Sequence, residues 1–215
     1  MPRSTYLPDD TLTGSNTELQ SASLLHFWKW AFSDLCDDDI KGIFAEWLVL
    51  KLLGIPSVRR VSWANSDIIT PDGVRIEIKS TSYWQSWKLL DEMGVLRPTP
   101  LHPISPKTQI RFAGLKARDA VNVVTGTEPL ELKSHVYIFA FQHEIDTERW
   151  NAMDLSQWEF YALPVSSIRE HHWKSISLSK LRAEQKTFCG HETLTADLLA
   201  DVAVKLIEAA AKAYA

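Results

Sequence analysis

The stretch SDIITPDGVRIEIK, Ser66 to Lys79, decides how the rest of the chain is read. Apolar and polar residues alternate on both sides of Pro71-Asp72-Gly73. That is the pattern of two antiparallel strands joined by a tight turn, because proline presets the first turn dihedral and glycine accepts the left-handed one. With Gly73 left-handed in a three-residue loop, Thr70 faces Val74, Ile68 lies opposite Ile76, and Asp67 lies opposite Glu77. Opposed residues share a face and side chains alternate with period two. Asp67, Glu77 and Lys79 therefore converge on one face, while Ile68, Ile76 and Ile78 point to the other.

Two carboxylates and an ammonium on one patch suit the hydrolysis of a phosphodiester. Paired carboxylate oxygens bind a hard divalent cation such as magnesium, which can generate hydroxide and neutralise charge on a phosphate. A lysine beside them can orient the attacking water or stabilise the developing negative charge. An acid-x-Lys triplet alone says little. Asp39-Ile40-Lys41 and Glu131-Leu132-Lys133 have the same form, yet the first sits at a helix start, the second follows Pro129, and neither has an aspartate across a hairpin. The competing reading of the Glu77 copy is a solvated hairpin face with one cross-strand ion pair.

The 215 residues most simply make one domain, with a loose arm over residues 1–15. Nine tryptophans make its core or a partner surface aromatic, and 27 acidic residues against 23 basic ones give no net field that announces a nucleic-acid binder. Cys36 and Cys189 are too few for a disulfide framework. No apolar run is long enough to span a bilayer or act as a signal peptide, so a cytoplasmic location without membrane association is expected. The chain has no glycine-rich phosphate loop and no G-x-S-x-G elbow, which leaves ATP-driven and acyl-transfer chemistries unsupported. His171-His172 and Cys189-Gly190-His191 lack the paired spacing of structural zinc sites.

Before the hairpin, Thr17 to Leu35 carries apolar and aromatic residues at helical spacing, which predicts a packing helix. Asp37, Asp38 and Asp39 read as caps of a second helix, Ile40 to Leu53, that stops at Gly54. Glu46 falls amid Gly42, Ile43, Val49, Leu50 and Leu53, an apolar stripe where a carboxylate is costly without a cation or a donor. Val58 to Trp63 reads as a first strand. After the hairpin, Ser80 to Trp87 offers Gln85 as a substrate contact, with two of Tyr83, Trp84 and Trp87 assigned to packing. Leu90 to Lys107 carries Gly94, Pro98, Pro100, Pro103 and Pro106 and is expected to be a substrate-side flap. Lys107, Arg111, Lys116 and Arg118 form the most basic cluster and are the candidate phosphate contacts. A strand over Thr108 to Phe112 and a helix within Arg111 to Val124 are expected next. His135 to Gln142 should be a central strand, Trp158 to Val165 another, and Leu178 to Gln185 and Leu194 to Lys212 helices.

The hairpin with Asp67 and Glu77-Ile78-Lys79, preceded by GIFAEWLVLKLLG, resembles the PD-(D/E)XK or restriction-endonuclease-like phosphodiesterases, with Ser66 where the motif has proline. FAEWLVLKLLG, IEIKSTSYWQSW, HVYIFAFQ and DLSQWEFYALP together look like a bacterial family within that superfamily. The resemblance covers Ile40 to Gln142. It implies an α/β fold with an αβββαβ core, a mixed central sheet flanked by helices, and extra N- and C-terminal helices. It also implies a magnesium- or manganese-dependent nuclease acting on nucleic acid, DNA foremost, and leaving a 5′-phosphate. In that case Asp67, Glu77 and the backbone carbonyl of Ile78 hold the metal, Glu46 binds or orients a second metal or its water, and Lys79 positions the nucleophile. Fold analogy adds a homodimer with the aromatic N-terminal helix as a candidate interface. The alternative on the same fold is a catalytically inactive module that binds nucleic acid or protein.

Overall fold

The computed structural model describes residues 5–14, 19–56, 60–61, 64–84, 109–117 and 130–214. Leu24–Phe32 forms helix α1 and Asp38–Leu52 helix α2. The hairpin strands are Ile68–Ile69 (β1) and Arg75–Ser82 (β2), followed by Arg111–Phe112 (β3), Val136–Gln142 (β4) and Trp158–Pro164 (β5). Val165–Glu170 (α3), Ile176–Ser177 (β6), Leu178–Cys189 (α4) and Ala196–Tyr214 (α5) complete the chain.

The turn chemistry of Pro71-Asp72-Gly73 acts as expected. Gly73 takes φ +79°, its N–H donates to Thr70 O at 2.9 Å, and Thr70 N–H donates to Val74 O at 2.9 Å. That loop sets Ile68 against Ile76 and Ile69 against Arg75. β2 then runs parallel to β4, a pairing that needs a long crossover, and β4 pairs antiparallel with β5. The result is a mixed four-stranded sheet in the order β1-β2-β4-β5. All seven residues of β4 are buried, which is why HVYIFAFQ reads as one continuous apolar run.

Alternation along the strands sorts side chains into two cores. On one face Ile76, Ile78, Ile138 and Phe160 pack under α2 (Ala45, Leu48, Val49) and α5 (Leu199, Ala203, Leu206). On the other, Tyr137, Phe139, Tyr161 and Leu163 meet α3, α4 and a two-stranded sheet of β3 and β6, with the Phe112 ring edge-on to Phe139 at 5.2 Å. The sheet is thus the middle of three layers.

Capping sets where α2 begins: Asp37 Oδ1 accepts from Asp39 N–H at 3.0 Å and from Ile40 N–H at 3.1 Å. Lys41 is 3% exposed and donates at 2.8 Å both to Asp38 Oδ1 and to Trp84 O. Within the triplet Asp39-Ile40-Lys41, the lysine is therefore a strut that ties the head of α2 to the chain just beyond β2.

Several expectations are corrected. α1 is shorter than Thr17 to Leu35 and does not pack inward: none of its residues is buried, and Trp30 is 84% exposed. The described part of the N-terminal arm, residues 5–14, is not loose. Leu12 N–H donates to Ala22 O at 3.0 Å, and Leu24 N–H to Asp10 O at 2.9 Å. β3 falls inside the strand expected over Thr108 to Phe112, with Phe112 drawn into the second core, and 113–117 carry no part of the helix expected within Arg111 to Val124. Of the strand expected over Val58 to Trp63, Arg60 and Val61 are described and carry none, and the rest lies outside the described residues, as do 118–124 and the flap expected over Leu90 to Lys107. No helix among the described residues is long and apolar enough to cross a membrane.

The left-handed turn residue sets the hairpin register, so Gly73→Ala should lower stability by about 1 kcal/mol, the cost of forcing a Cβ into that conformation. Urea unfolding checks it: the midpoint falls while the slope is unchanged.

Candidate active site

Asp67 stands one residue before β1, where the hairpin ladder is running out. Its N–H donates to Ile76 O at 3.1 Å, and its carboxylate Oδ2 accepts the Ile78 N–H at 2.6 Å. The side chain thus supplies the next rung in place of backbone. A strand residue sends its N–H and C=O to the same edge, so the Ile78 carbonyl is aimed to the side where Asp67 stands. On β2, Lys79 Nζ pairs with Glu77 Oε1 at 2.7 Å, and Ser134 Oγ donates to Glu77 Oε2 at 3.4 Å. Glu77 lies beside Tyr137 and Lys79 beside Phe139 in the parallel register. The Tyr137 hydroxyl, which donates to Leu115 O at 3.1 Å, is pushed up to about 12 by burial and then by the Glu77 charge. Gly114 comes close enough that a Cβ there would lie 3.9 Å from Lys79 Nζ.

The fourth group arrives from α2. The core face of this helix is Ala45, Leu48 and Val49, so Glu46 lies on the flank of the buried stripe, not within it. Arg60 takes both of its oxygens, Nε to Oε2 at 2.5 Å and Nη2 to Oε1 at 2.9 Å. The donor that a half-buried glutamate requires is therefore a guanidinium in fork geometry. Glu46, Arg60 and Asp67 line one cavity of about 320 Å³ together with Ile43, Trp47 and Ser66.

Neither family models, nor curated proteins, nor solved structures match this chain.

The electrostatics centre on Asp67. Burial pushes its carboxyl up from 3.8 to about 7; the Glu77 charge adds to this and the Glu46 charge adds less, against the Ile78 N–H and Lys79, which pull it down. The same field raises the Arg60 guanidinium, chiefly through its hydrogen bond to Glu46. Three acids thus feel one another across the end of the hairpin, with two cations to offset them.

A hard cation suits this donor set: two carboxylates and a backbone carbonyl, all oxygen, with Asp67 Oδ1 and the remaining lone pairs of Glu77 as further acceptors. Glu46 does not join them directly, since Arg60 occupies it. Among the described residues no three His, Cys, Asp or Glu side chains gather closely enough to hold a metal by themselves. An ion of the magnesium type, which keeps several of its waters, needs fewer protein ligands than that.

The remaining candidates divide. Arg111 is exposed on β3 and donates to Ser175 Oγ at 3.1 Å, and Lys116 is half-buried beyond Gly114. Gln85, Lys107 and Arg118 lie outside the described residues, as does Trp87. Tyr83 and Trp84 pack, Tyr83 edge-on to Phe141 at 5.1 Å and Trp84 with its indole N–H on Ile145 O at 3.0 Å. Sequence reasoning missed Arg60 and Ser134. Arg60 had a signal in the lone glutamate on an apolar stripe, which demanded a partner somewhere; Ser134 had none.

Between about pH 4 and pH 7 folded Asp67 keeps a proton that the unfolded chain has released, so this residue makes stability fall as pH rises through that window. Asp67→Asn keeps the acceptor for Ile78 N–H but not the charge. In metal-free buffer at pH 8 the variant should be more stable than wild type by on the order of 2 kcal/mol, after discounting for solvent at the carboxylate. Below pH 4 the two should coincide, and denaturant unfolding across this range checks it.

Proposed function

We propose that the chain is a divalent-metal-dependent nuclease that hydrolyses phosphodiester bonds, DNA foremost, on a restriction-endonuclease-like core. The observation that carries this reading is the position of Asp67: its carboxylate covers Ile78 N–H at the open end of the hairpin, within the field of Glu77 and Lys79 and on the same cavity as Glu46. The order of helix, strand-turn-strand and further strands supports the core assignment, and so does the resemblance of the (D/E)XK element.

Asp67, Glu77 and the Ile78 carbonyl would hold a magnesium or manganese ion. When bound, that ion supplies charge neutralisation at the phosphate and makes a water more acidic. The protein groups do the positioning. Lys79, which pairs with Glu77 at 2.7 Å, would offer its ammonium to the attacking water or to the oxygen on which negative charge builds. Arg60 holds Glu46 fixed in direction, from which Glu46 would orient a water at the rim of the cavity. Arg111 and Lys116 flank Gly114, which nears Lys79, and would meet phosphates further along the strand.

A second reading has one observation behind it. Because Arg60 already neutralises Glu46, the arrangement also suits a module that keeps the hairpin for structure and binds nucleic acid or protein without cutting.

Incubation with supercoiled, linear and single-stranded DNA and with RNA, in magnesium, manganese or chelator, separates the two. Cleavage should need the metal and fall about a hundredfold or more in Lys79→Ala, Asp67→Asn and Glu77→Gln. Cleavage indifferent to these substitutions would remove the nuclease reading, and binding without cleavage in every metal would establish the module.

A further inference from the structure

We propose that the cavity between α2 and the β1 edge receives one unpaired nucleobase, so that the substrate reaches Asp67 as a single strand or an opened end and not as a closed duplex. The nuclease reading supplies the identity of the polymer, and the cavity supplies the rest.

A volume of about 320 Å³ lies at the small end of the roughly 300–1,000 Å³ typical of small-molecule pockets, the size class of one planar ring system. The walls are mainly aliphatic, from Ile43, Leu50, Ile55 and Ile69. Trp47 adds an aromatic surface that is 48% exposed, with its ring steadied by Phe44 at 5.6 Å between centroids. A half-exposed tryptophan on an otherwise aliphatic hollow is what base stacking uses, and stacking tolerates any base because every base has a π face.

The polar groups make the choice of occupant. Glu46, Asp67 and Ser66 present acceptors and one hydroxyl, and Arg60 presents a guanidinium. Ser66 is 4% exposed, and its Oγ finds no hydrogen-bond partner among the described residues, a deficit that a buried hydroxyl does not normally carry. Glu46 and Arg60 already answer each other. A base edge brings both N–H donors and ring or carbonyl acceptors, so it can donate to Asp67 and Ser66 and accept from the guanidinium N–H groups that Glu46 leaves over. An acyl chain would leave Asp67 and Ser66 unanswered, and a phosphate would be repelled by the Asp67 carboxylate. The phosphate therefore stays outside, beside Glu77 and Lys79, while its base turns in. In a closed duplex the bases are stacked and paired, and opening them costs energy that a single strand or a frayed end does not require.

The test is binding in chelator, so that no cleavage interferes. The full chain is titrated with fluorescently labelled single-stranded oligothymidylate, with an all-abasic strand of equal length and charge, and with a closed-end duplex. Wild type should bind the base-bearing strand about tenfold more tightly than the abasic one, and the duplex no better than the abasic strand. Trp47→Ala should abolish that preference and leave affinity for the abasic strand unchanged, and Trp47→Phe should retain most of it. Ala64→Trp, which narrows the cavity from an exposed position on its lining, should act like Trp47→Ala. Equal affinity of wild type for base-bearing and abasic strands, a preference that survives Trp47→Ala, or equal binding of the duplex would each overturn the proposal. The two readings fail separately. Cleavage that depends on Asp67, Glu77 and Lys79 but ignores missing bases removes only the cavity's role, whereas base preference without cleavage in any metal removes only the nuclease.

Discussion

The hydrogen bond from Ile78 N–H to the Asp67 carboxylate, 2.6 Å long, is the constraint from which the site's geometry follows. β1 begins only at Ile68 and pairs two residues, while β2 continues past the partner of Ile68. An N–H of β2 left facing a half-buried edge needs an acceptor, since an unsatisfied buried donor forfeits its solvation without return. Asp67 provides that acceptor, and in doing so it is held away from water and close to Glu77. Burial and like charge then raise its carboxyl to about 7, far from the value of a free aspartate. A structural need of the sheet edge and a concentration of negative charge are thus one feature. It is the sort of perturbation that marks functional sites more often than inert surfaces.

The rest of the molecule holds the groups around that bond. The aliphatic alternation of Ile68, Ile76 and Ile78 fastens the hairpin under α2 and α5, so the charged alternates must emerge on the other face. The buried Lys41 ties the head of α2 to Trp84 O, which fixes the helix relative to the strand that carries Glu77 and Lys79. Glu46 is then delivered one turn further along α2 to the flank that overlooks Asp67, where Arg60 meets it. The acids arrive from three elements, and each element is anchored by packing that has nothing to do with charge. Such support is what a preorganised site requires.

The hairpin was legible because its determinants are local: Pro71, Asp72 and Gly73 fix the turn, and period-two alternation fixes the faces, so the register follows within fourteen residues. β4 was legible because a strand buried on both sides reads as an apolar run, Val136 to Phe141, with its one polar residue, Gln142, at the end. Glu46 was half legible. Its wheel position showed that it needed a partner, but Arg60 lies fourteen residues on, and no periodicity links them. α1 shows the opposite failure, since helical spacing of Phe27, Trp28 and Phe32 signals an amphipathic element yet cannot say whether a surface exists to cover it. The short strand at Arg111 and Phe112 was legible from its own residues, and Phe112 is held there by the second core.

Anomalous diffraction from crystals of the full chain grown with manganese tests whether the end of the hairpin holds a cation. One peak is expected in coordination contact with Asp67, Glu77 and the Ile78 carbonyl, with Lys79 released from Glu77 and Glu46 still held by Arg60. Crystals in which manganese is bound only elsewhere, with the Glu77–Lys79 pair intact and Asp67 still engaged by Ile78 alone, would contradict it.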